Sequence, residues 1–305
     1  MINKSNKIKG LIVAPFTAFD SDNNLALEQV AKQAAMYKRN GISGAFICGT
    51  TGESSALTLD EKKKLFMEWS KYRADDFKVI GFLGGTCLAE CIELARYAEE
   101  LQLDAVSVTA PYYFKANSIG KLTEFCMEVA KVVPTLPLYY YHIPSFTNAH
   151  FPMIDLLRDI DGKVPNFAGI KYTHENLMDY QLCLNFEHNK YDILWGRDEM
   201  LLAALAMGAK GAVGSTYGYM APVYSGVMEE FERNNLEKAR DYQLAANKLI
   251  GLLGKYGGGT GKAYMREAGI ELGEHRLPVE NLTAGQQREF RIDLEKLQFK
   301  TYMNR

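Results

Sequence analysis

The sequence predicts an α/β fold, a (β/α)8 barrel of the TIM type with a C-terminal helical extension, and three observations predict it. Eight short apolar, β-branched or aromatic runs recur between residues 11 and 214. Segments with helical periodicity lie between them, and strands alternating with helices imply a parallel sheet. The runs lack polar alternation, so both faces of that sheet are covered. Eight such units in about 220 residues match the arithmetic of one barrel. A doubly wound open sheet is the competing arrangement, because it alternates strands and helices in the same way.

The eight runs are Leu11–Phe16, Ala45–Cys48, Val79–Leu83, Ala105–Val108, Leu138–Tyr141, Phe167–Lys171, Ile193–Trp195 and Ala212–Gly214. Helical spacing is clear at Leu27, Val30, Ala34 and Tyr37, and again at Leu94, Tyr97, Ala98 and Leu101. Thr58 with Glu61 three positions later reads as a capping box, and Gly41 after Asn40 as a helix stop. Beyond Pro222 the strand signals cease and helices are predicted over Leu236–Lys255, Lys262–Ala268 and Ala284–Phe299, the last behind a Thr283 and Gln286 capping box. The expected division is residues 1–222 as the barrel carrying the active site and residues 223–305 as a helical region packed on it.

The chain has 305 residues, 47% apolar and 24% charged, which excludes a disordered tail or a disulfide miniprotein. With 35 Lys and Arg against 37 Asp and Glu the net charge is -2, and no basic cluster suits nucleic acid. No apolar run approaches the ~20 residues of a membrane span. Met1–Gly10 lacks the apolar segment of a secretory signal, so a cytoplasmic location is expected. The five cysteines are scattered in apolar segments and read as reduced core thiols. Cys87 and Cys91 could share one face of a helix, but no second pair completes a zinc site, and the five histidines show no paired ligand spacing.

In a parallel barrel the chemistry sits where strands end. After the second run comes Gly49-Thr50-Thr51-Gly52-Glu53, two hydroxyls and free amides suited to a carboxylate or phosphate. After the fourth comes Pro111-Tyr112-Tyr113, after the fifth Tyr141-His142-Ile143-Pro144, and after the seventh Gly196-Arg197-Asp198-Glu199. The sixth ends in Gly169-Ile170-Lys171-Tyr172-Thr173. A desolvated Lys171 has a lowered pKa and a neutral amine that attacks carbonyls, whereas a strand-end lysine can also simply reach solvent. The tyrosine and threonine hydroxyls suit proton relay, and the Thr50-Thr51 amides suit a keto acid's carboxylate, although barrel packing explains tyrosines equally well. Asp198 and Glu199 also suit a helix N-terminus on charge alone. Gly257-Gly258-Gly259-Thr260-Gly261-Lys262 fails as a phosphate loop for want of a preceding strand and a Ser or Thr after the lysine, and reads as a flexible helix connection.

Together, Gly49–Glu53, Tyr141–Pro144 and Gly169–Lys171 resemble the pyruvate-dependent class I aldolases that contain dihydrodipicolinate synthase and N-acetylneuraminate lyase. The resemblance covers nearly the whole chain. It implies a Schiff base on Lys171 with Tyr141 orienting the keto-acid carboxylate and passing protons, Thr50 and Tyr113 as relay partners, and Thr51 on the carboxylate. It further implies no metal or organic cofactor, and a homotetramer in which Tyr113 serves a neighbouring subunit. Synthases of the family carry an arginine shortly after the strand-five tyrosine, and this chain has Ser145 and Phe146 there. Lys171–Thr173, Gly196–Glu199 and Gly214–Thr216 resemble instead the lyase pattern, which assigns Thr173, Gly196, Asp198, Glu199 and Ser215 to a sugar's hydroxyls. The expected reaction is reversible cleavage of N-acetylneuraminate, a sialic acid, to pyruvate and N-acetylmannosamine. The alternatives are another pyruvate aldolase or synthase of the family and a non-catalytic sugar-acid-binding barrel. His142 stands where the family usually has asparagine.

Overall fold

The structure, a computed structural model, describes residues 7–305. Its eight strands are β1 (Gly10–Val13), β2 (Gly44–Ile47), β3 (Lys78–Gly84), β4 (Ala105–Thr109), β5 (Leu138–His142), β6 (Phe167–Tyr172), β7 (Asp192–Trp195) and β8 (Gly211–Gly214). All neighbours are parallel, and Gly10–Val13 pair with Gly211–Gly214, which closes the sheet and removes the open-sheet competitor.

Helices cover the outside: α1 (Gln29–Arg39), α2 (Leu59–Ser70), α3 (Leu88–Glu100), α4 (Ile119–Ala130), α5 (Pro144–Thr147), α6 (Met153–Ile160), α7 (Leu177–Asn185) and α8 (Leu201–Met207). Then follow α9 (Tyr217–Glu232), α10 (Leu236–Tyr256), α11 (Thr260–Glu267), α12 (Ala284–Lys296) and α13 (Phe299–Tyr302). Because side chains alternate across a strand, the sheet feeds two cores. Ile12, Phe46, Ile80, Tyr139, Tyr141 and Leu194 fill the barrel, while their neighbours Val13, Ile47, Val79, Tyr140 and Ile193 pack outward under the helices.

Four local expectations need correction. The first run stops at Val13 rather than Phe16, since Pro15 has no N–H to continue a ladder. The last helix divides at Gln298, whose left-handed φ of 54° separates α12 from α13. Thr260, Gly261 and Lys262 are not a flexible connection but the buried first turn of α11. Cys87 is exposed at the start of α3, while the other four cysteines are buried free thiols.

The capping box at α2 is present as expected: the Glu61 N–H donates to Thr58 Oγ1 at 3.2 Å and the Thr58 N–H to Glu61 Oε2 at 2.9 Å. Thr58→Ala removes one of these bonds, and equilibrium urea unfolding should show a loss of about 1 kcal/mol. Unchanged stability would mean that the packing of Leu65, Phe66 and Trp69 alone holds α2.

Helix α9 is kinked at Met220 and contains Pro222, which cannot donate to the Gly218 carbonyl. The buried Asn304 side chain takes that role, donating to the carbonyls of Gly218 (2.9 Å) and Tyr217 (3.1 Å) and accepting from the Ala221 N–H (2.7 Å). The end of the chain is thereby fastened to the helix that follows the last barrel strand.

Candidate active site

At the carboxyl mouth of the barrel, Tyr141 and Lys171 face each other in register across β5 and β6. Both point inward, so an amine and a phenol share the same water-poor space. Lys171 is 4% exposed. Its Nζ lies 3.9 Å from the centroid of the Tyr141 ring and 4.1 Å from that of Phe46. Burial pushes the amine down to about 7, with the Asp198 carboxylate pulling the other way. The snorkelling alternative therefore fails: the lysine ends inside the barrel and carries a large neutral fraction near neutral pH.

Burial moves the Tyr141 phenol up to about 12, opposed by the Thr50 and Thr173 hydroxyls. Thr50 Oγ1 is 3.5 Å from Tyr141 Oη, longer than a settled O–H···O bond. Such contacts commonly tighten when substrate arrives. Thr109 Oγ1 donates to the Tyr141 carbonyl at 2.8 Å and so fixes the strand from its other neighbour. Thr51 sits half-buried beside Thr50 in the turn after β2.

The opposite wall is built from the ends of β7 and β8. Asp198 accepts from the Thr216 N–H (3.0 Å) and Thr216 Oγ1 (2.7 Å), and the Gln243 side chain on α10 donates to the Asp198 carbonyl at 3.2 Å. Burial raises Asp198 to about 6 against the Thr216 bonds. Asp198 Oδ1 and Thr173 Oγ1 are buried without a hydrogen bond of good geometry among the described residues, Thr173 lying beside the Tyr141 phenol and Asp198 beside that of Tyr217. Two glycines make room for them. A Cβ on Gly214 would meet Asp198 Oδ1 at 1.9 Å, and one on Gly196 would meet Thr173 Oγ1 at the same distance. Glu199 is more open and pairs with Arg197 Nε at 3.0 Å; Ser215 is half-buried.

Tyr113 is the residue the chain does not bring to this cluster. It is 77% exposed, with its ring edge-on to the exposed Phe114. His142 also lies apart from Lys171. Alternation turns it to the outer face of the sheet, where it packs on Tyr172 and His174, and burial pushes it down to about 3, so it is neutral. Sequence reasoning missed Phe46, the aromatic bed of the amine, and the holding of Asp198 by Thr216 and Gln243. An inward position three residues before the Gly49–Glu53 turn was the available signal for Phe46.

A cavity of about 960 Å³ opens at the other mouth of the barrel. Its buried polar groups satisfy each other: Tyr139 Oη donates to Asp192 at 2.9 Å, and Asp192 also takes the Ile8 N–H. Among the described residues no group of His, Cys, Asp and Glu could hold a metal ion, and no helix is long and apolar enough to cross a membrane.

A buried amine beside a phenol at the carboxyl end of a closed barrel defines a class: barrels equipped to activate carbonyl compounds through an imine. The chain belongs to the dihydrodipicolinate synthetase family, whose sequence pattern matches residues 7–297. N-acetylneuraminate lyase A of Xenopus laevis is 37% identical over 278 residues, covering 90% of this chain and 91% of its own. The structure of Proteus mirabilis N-acetylneuraminate lyase superposes with a TM-score of 0.93 at 34% identity, covering 96% of this chain and all of the other. That of N-acetylneuraminate lyase (sialic acid aldolase) from Aliivibrio salmonicida gives 0.93 and 34%, with 96% and 98% covered.

Proposed function

We propose that this chain is a Schiff-base aldolase that cleaves N-acetylneuraminate reversibly to pyruvate and N-acetylmannosamine. The observation that carries the chemistry is Lys171, inward-facing, desolvated and in register with Tyr141. The choice of substrate is supported by relatives and solved structures named N-acetylneuraminate lyase, each with about nine-tenths or more of both chains aligned.

In the cleavage direction the neutral Lys171 amine attacks the ketone of the open-chain sugar acid, and loss of water gives a protonated imine. Tyr141 takes the proton of the hydroxyl on the carbon about to leave while passing its own phenolic proton through Thr50 to solvent. The carbon–carbon bond then breaks into that carbonyl, its electrons passing to the iminium nitrogen to form an enamine. Return of a proton to the enamine and hydrolysis release pyruvate and the free amine. Thr51 holds the carboxylate, and Thr173, the Gly196 backbone, Asp198, Glu199 and Ser215 hold the sugar's hydroxyls. Tyr113 acts in a neighbouring subunit of a homotetramer in the cytoplasm; its exposure in the single chain supports that placement. Residues 1–222 carry the reaction and residues 223–305 brace it, with α9 bridging the two.

Borohydride reduction with pyruvate followed by mass spectrometry, together with a cleavage assay, tests this reading; label on a lysine other than Lys171 overturns it. Glu199→Ala should lower cleavage efficiency about 10-fold to 100-fold, since a bound hydroxyl loses its acceptor at ~1–3 kcal/mol. Pyruvate trapping should be almost unchanged, because pyruvate lacks the hydroxyls that Glu199 would hold. Aspartate semialdehyde should be a poor acceptor, as Phe146 offers no cation for its carboxylate. Efficient condensation with it and no pyruvate from N-acetylneuraminate would replace the lyase by a synthase.

A further inference from the structure

The turn that carries Thr50 and Thr51 is held from outside the barrel. Within the turn, the Glu53 N–H donates to the Thr50 carbonyl (3.0 Å), the Ser54 N–H to the Gly49 carbonyl (3.2 Å), and Thr17 Oγ1 to the Gly52 carbonyl (2.7 Å). Glu53 closes it in the left-handed region at φ 59°, ψ 35°, a conformation costly for any residue with a Cβ. Asparagine or glycine would take that conformation more readily. A glutamate there is explained by what its carboxylate reaches.

That carboxylate leaves the barrel for the helical region. Oε1 accepts from Lys262 Nζ on α11 (3.0 Å) and from His275 Nδ1 (2.9 Å), and Oε2 accepts from the Arg276 N–H (3.0 Å). The three side chains Glu53, Lys262 and His275 are 6%, 2% and 5% exposed. Lys262 Nζ also donates to the Glu274 carbonyl, and the Phe19 ring lies 4.5 Å from it and 4.1 Å from the Arg276 guanidinium. Two buried charges hydrogen-bonded on most sides are a poor device for stability, since apolar residues of the same volume commonly serve as well or better. They are a good device for fixing a direction, because removing either partner leaves the other unpaired.

We infer that Glu53 is a positioning residue for the keto-acid end of the site, held by Lys262 and His275, so that the helical region sets the placement of Thr50 and Thr51. The inference rests on the reading of Lys171 as the imine-forming residue. Glu61 supplies the control, because the Arg276 guanidinium forks onto it at 2.9 and 2.6 Å, so that Glu61→Gln loosens the same segment without removing a partner of the Glu53 carboxylate.

The test compares the full-length wild type with Glu53→Gln, Lys262→Met and Glu61→Gln. For each, the pyruvate concentration giving half-maximal borohydride trapping, kcat for cleavage, and the melting temperature are measured. Glu53→Gln and Lys262→Met should each raise the half-saturating pyruvate concentration about tenfold with a smaller change in kcat, as expected when a binding turn is displaced but the amine is not. Glu61→Gln should lower the melting temperature and leave pyruvate saturation within about twofold of wild type. If Glu53→Gln does not fold, Lys262→Met carries the same expectation. Wild-type trapping at Lys171 with unchanged saturation in the Glu53 and Lys262 variants, or an equal shift in Glu61→Gln, overturns the positioning role alone. A wild type that is not trapped at Lys171 overturns the imine reading and this inference with it.

Discussion

Lys171→Ala should give a chain that folds into the same barrel and releases no pyruvate from N-acetylneuraminate. The nitrogen proposed to take up the electrons of the breaking bond is gone, and among the described residues no other amine is bedded between two aromatic rings as this one is by Phe46 and Tyr141. The wild type should show the amine's ionisation: with the pKa lowered to about 7, imine formation with pyruvate should rise through that pH as the amine loses its proton, and level off above it. The same displacement bears on stability. The unfolded chain holds a proton on this lysine up to its ordinary value of 10.5, while the folded chain releases it near 7. Between those values the unfolded state binds more protons, so the destabilisation from burying the amine is greatest at and below pH 7 and fades as pH rises toward 10.5. Lys171→Met, which fills the space without a charge, should therefore melt higher than wild type at neutral pH, an exchange of stability for function common at active sites. Residual turnover above one part in about 10³ in the alanine variant, or a lower melting temperature in the methionine variant, would contradict these expectations.

Tyr141→Phe should lower kcat by about 10² or more while the half-saturating substrate concentration changes little. The substitution removes one oxygen and preserves the ring beneath the amine as well as its edge contacts with Phe46 and Phe82. What is lost is the hydroxyl 3.5 Å from Thr50 Oγ1, the group proposed to exchange a proton with the departing aldehyde. Steady-state kinetics on N-acetylneuraminate, with pyruvate trapping as a second readout, decide the matter. A variant with wild-type kcat would reduce Tyr141 to packing.

The barrel was legible because parallel strands covered on both faces read as plain apolar runs, and each of the eight runs overlaps a strand. Its edges were less so, and for local reasons: Pro15 cuts the first ladder, and a single left-handed residue, Gln298, divides a helix whose periodicity continues past it. Lys171 was visible because a charge at the end of an apolar run is anomalous. Phe46 was not, since an aromatic inside a strand looks the same whether it fills space or lies under a reacting amine. Lys262 was hidden differently. Its own glycine-rich segment resembles only a failed phosphate loop, and nothing local announces that its partner is Glu53, far away in the sequence. Thr216 and Gln243 were hidden in the same way, because their hold on Asp198 depends on how the start of α9 and the middle of α10 lie across the end of β7.

The register of Tyr141 against Lys171 carries a consequence for how such a protein can change. Lys171 and Tyr141 are partners at a single rung of the ladder between β5 and β6, so their spacing is inherited from the sheet itself. The groups proposed to meet the aldehyde half, by contrast, hang mostly from segments beyond the ends of β6, β7 and β8, with Phe146 on α5 beside them in the sequence reading. Mutations in those segments can trade one aldehyde partner for another while the pyruvate half keeps its machinery. A barrel arranged in this way can diversify by revising its rim, and lineages that share the amine and the phenol are free to part company at Phe146, Glu199 and Ser215.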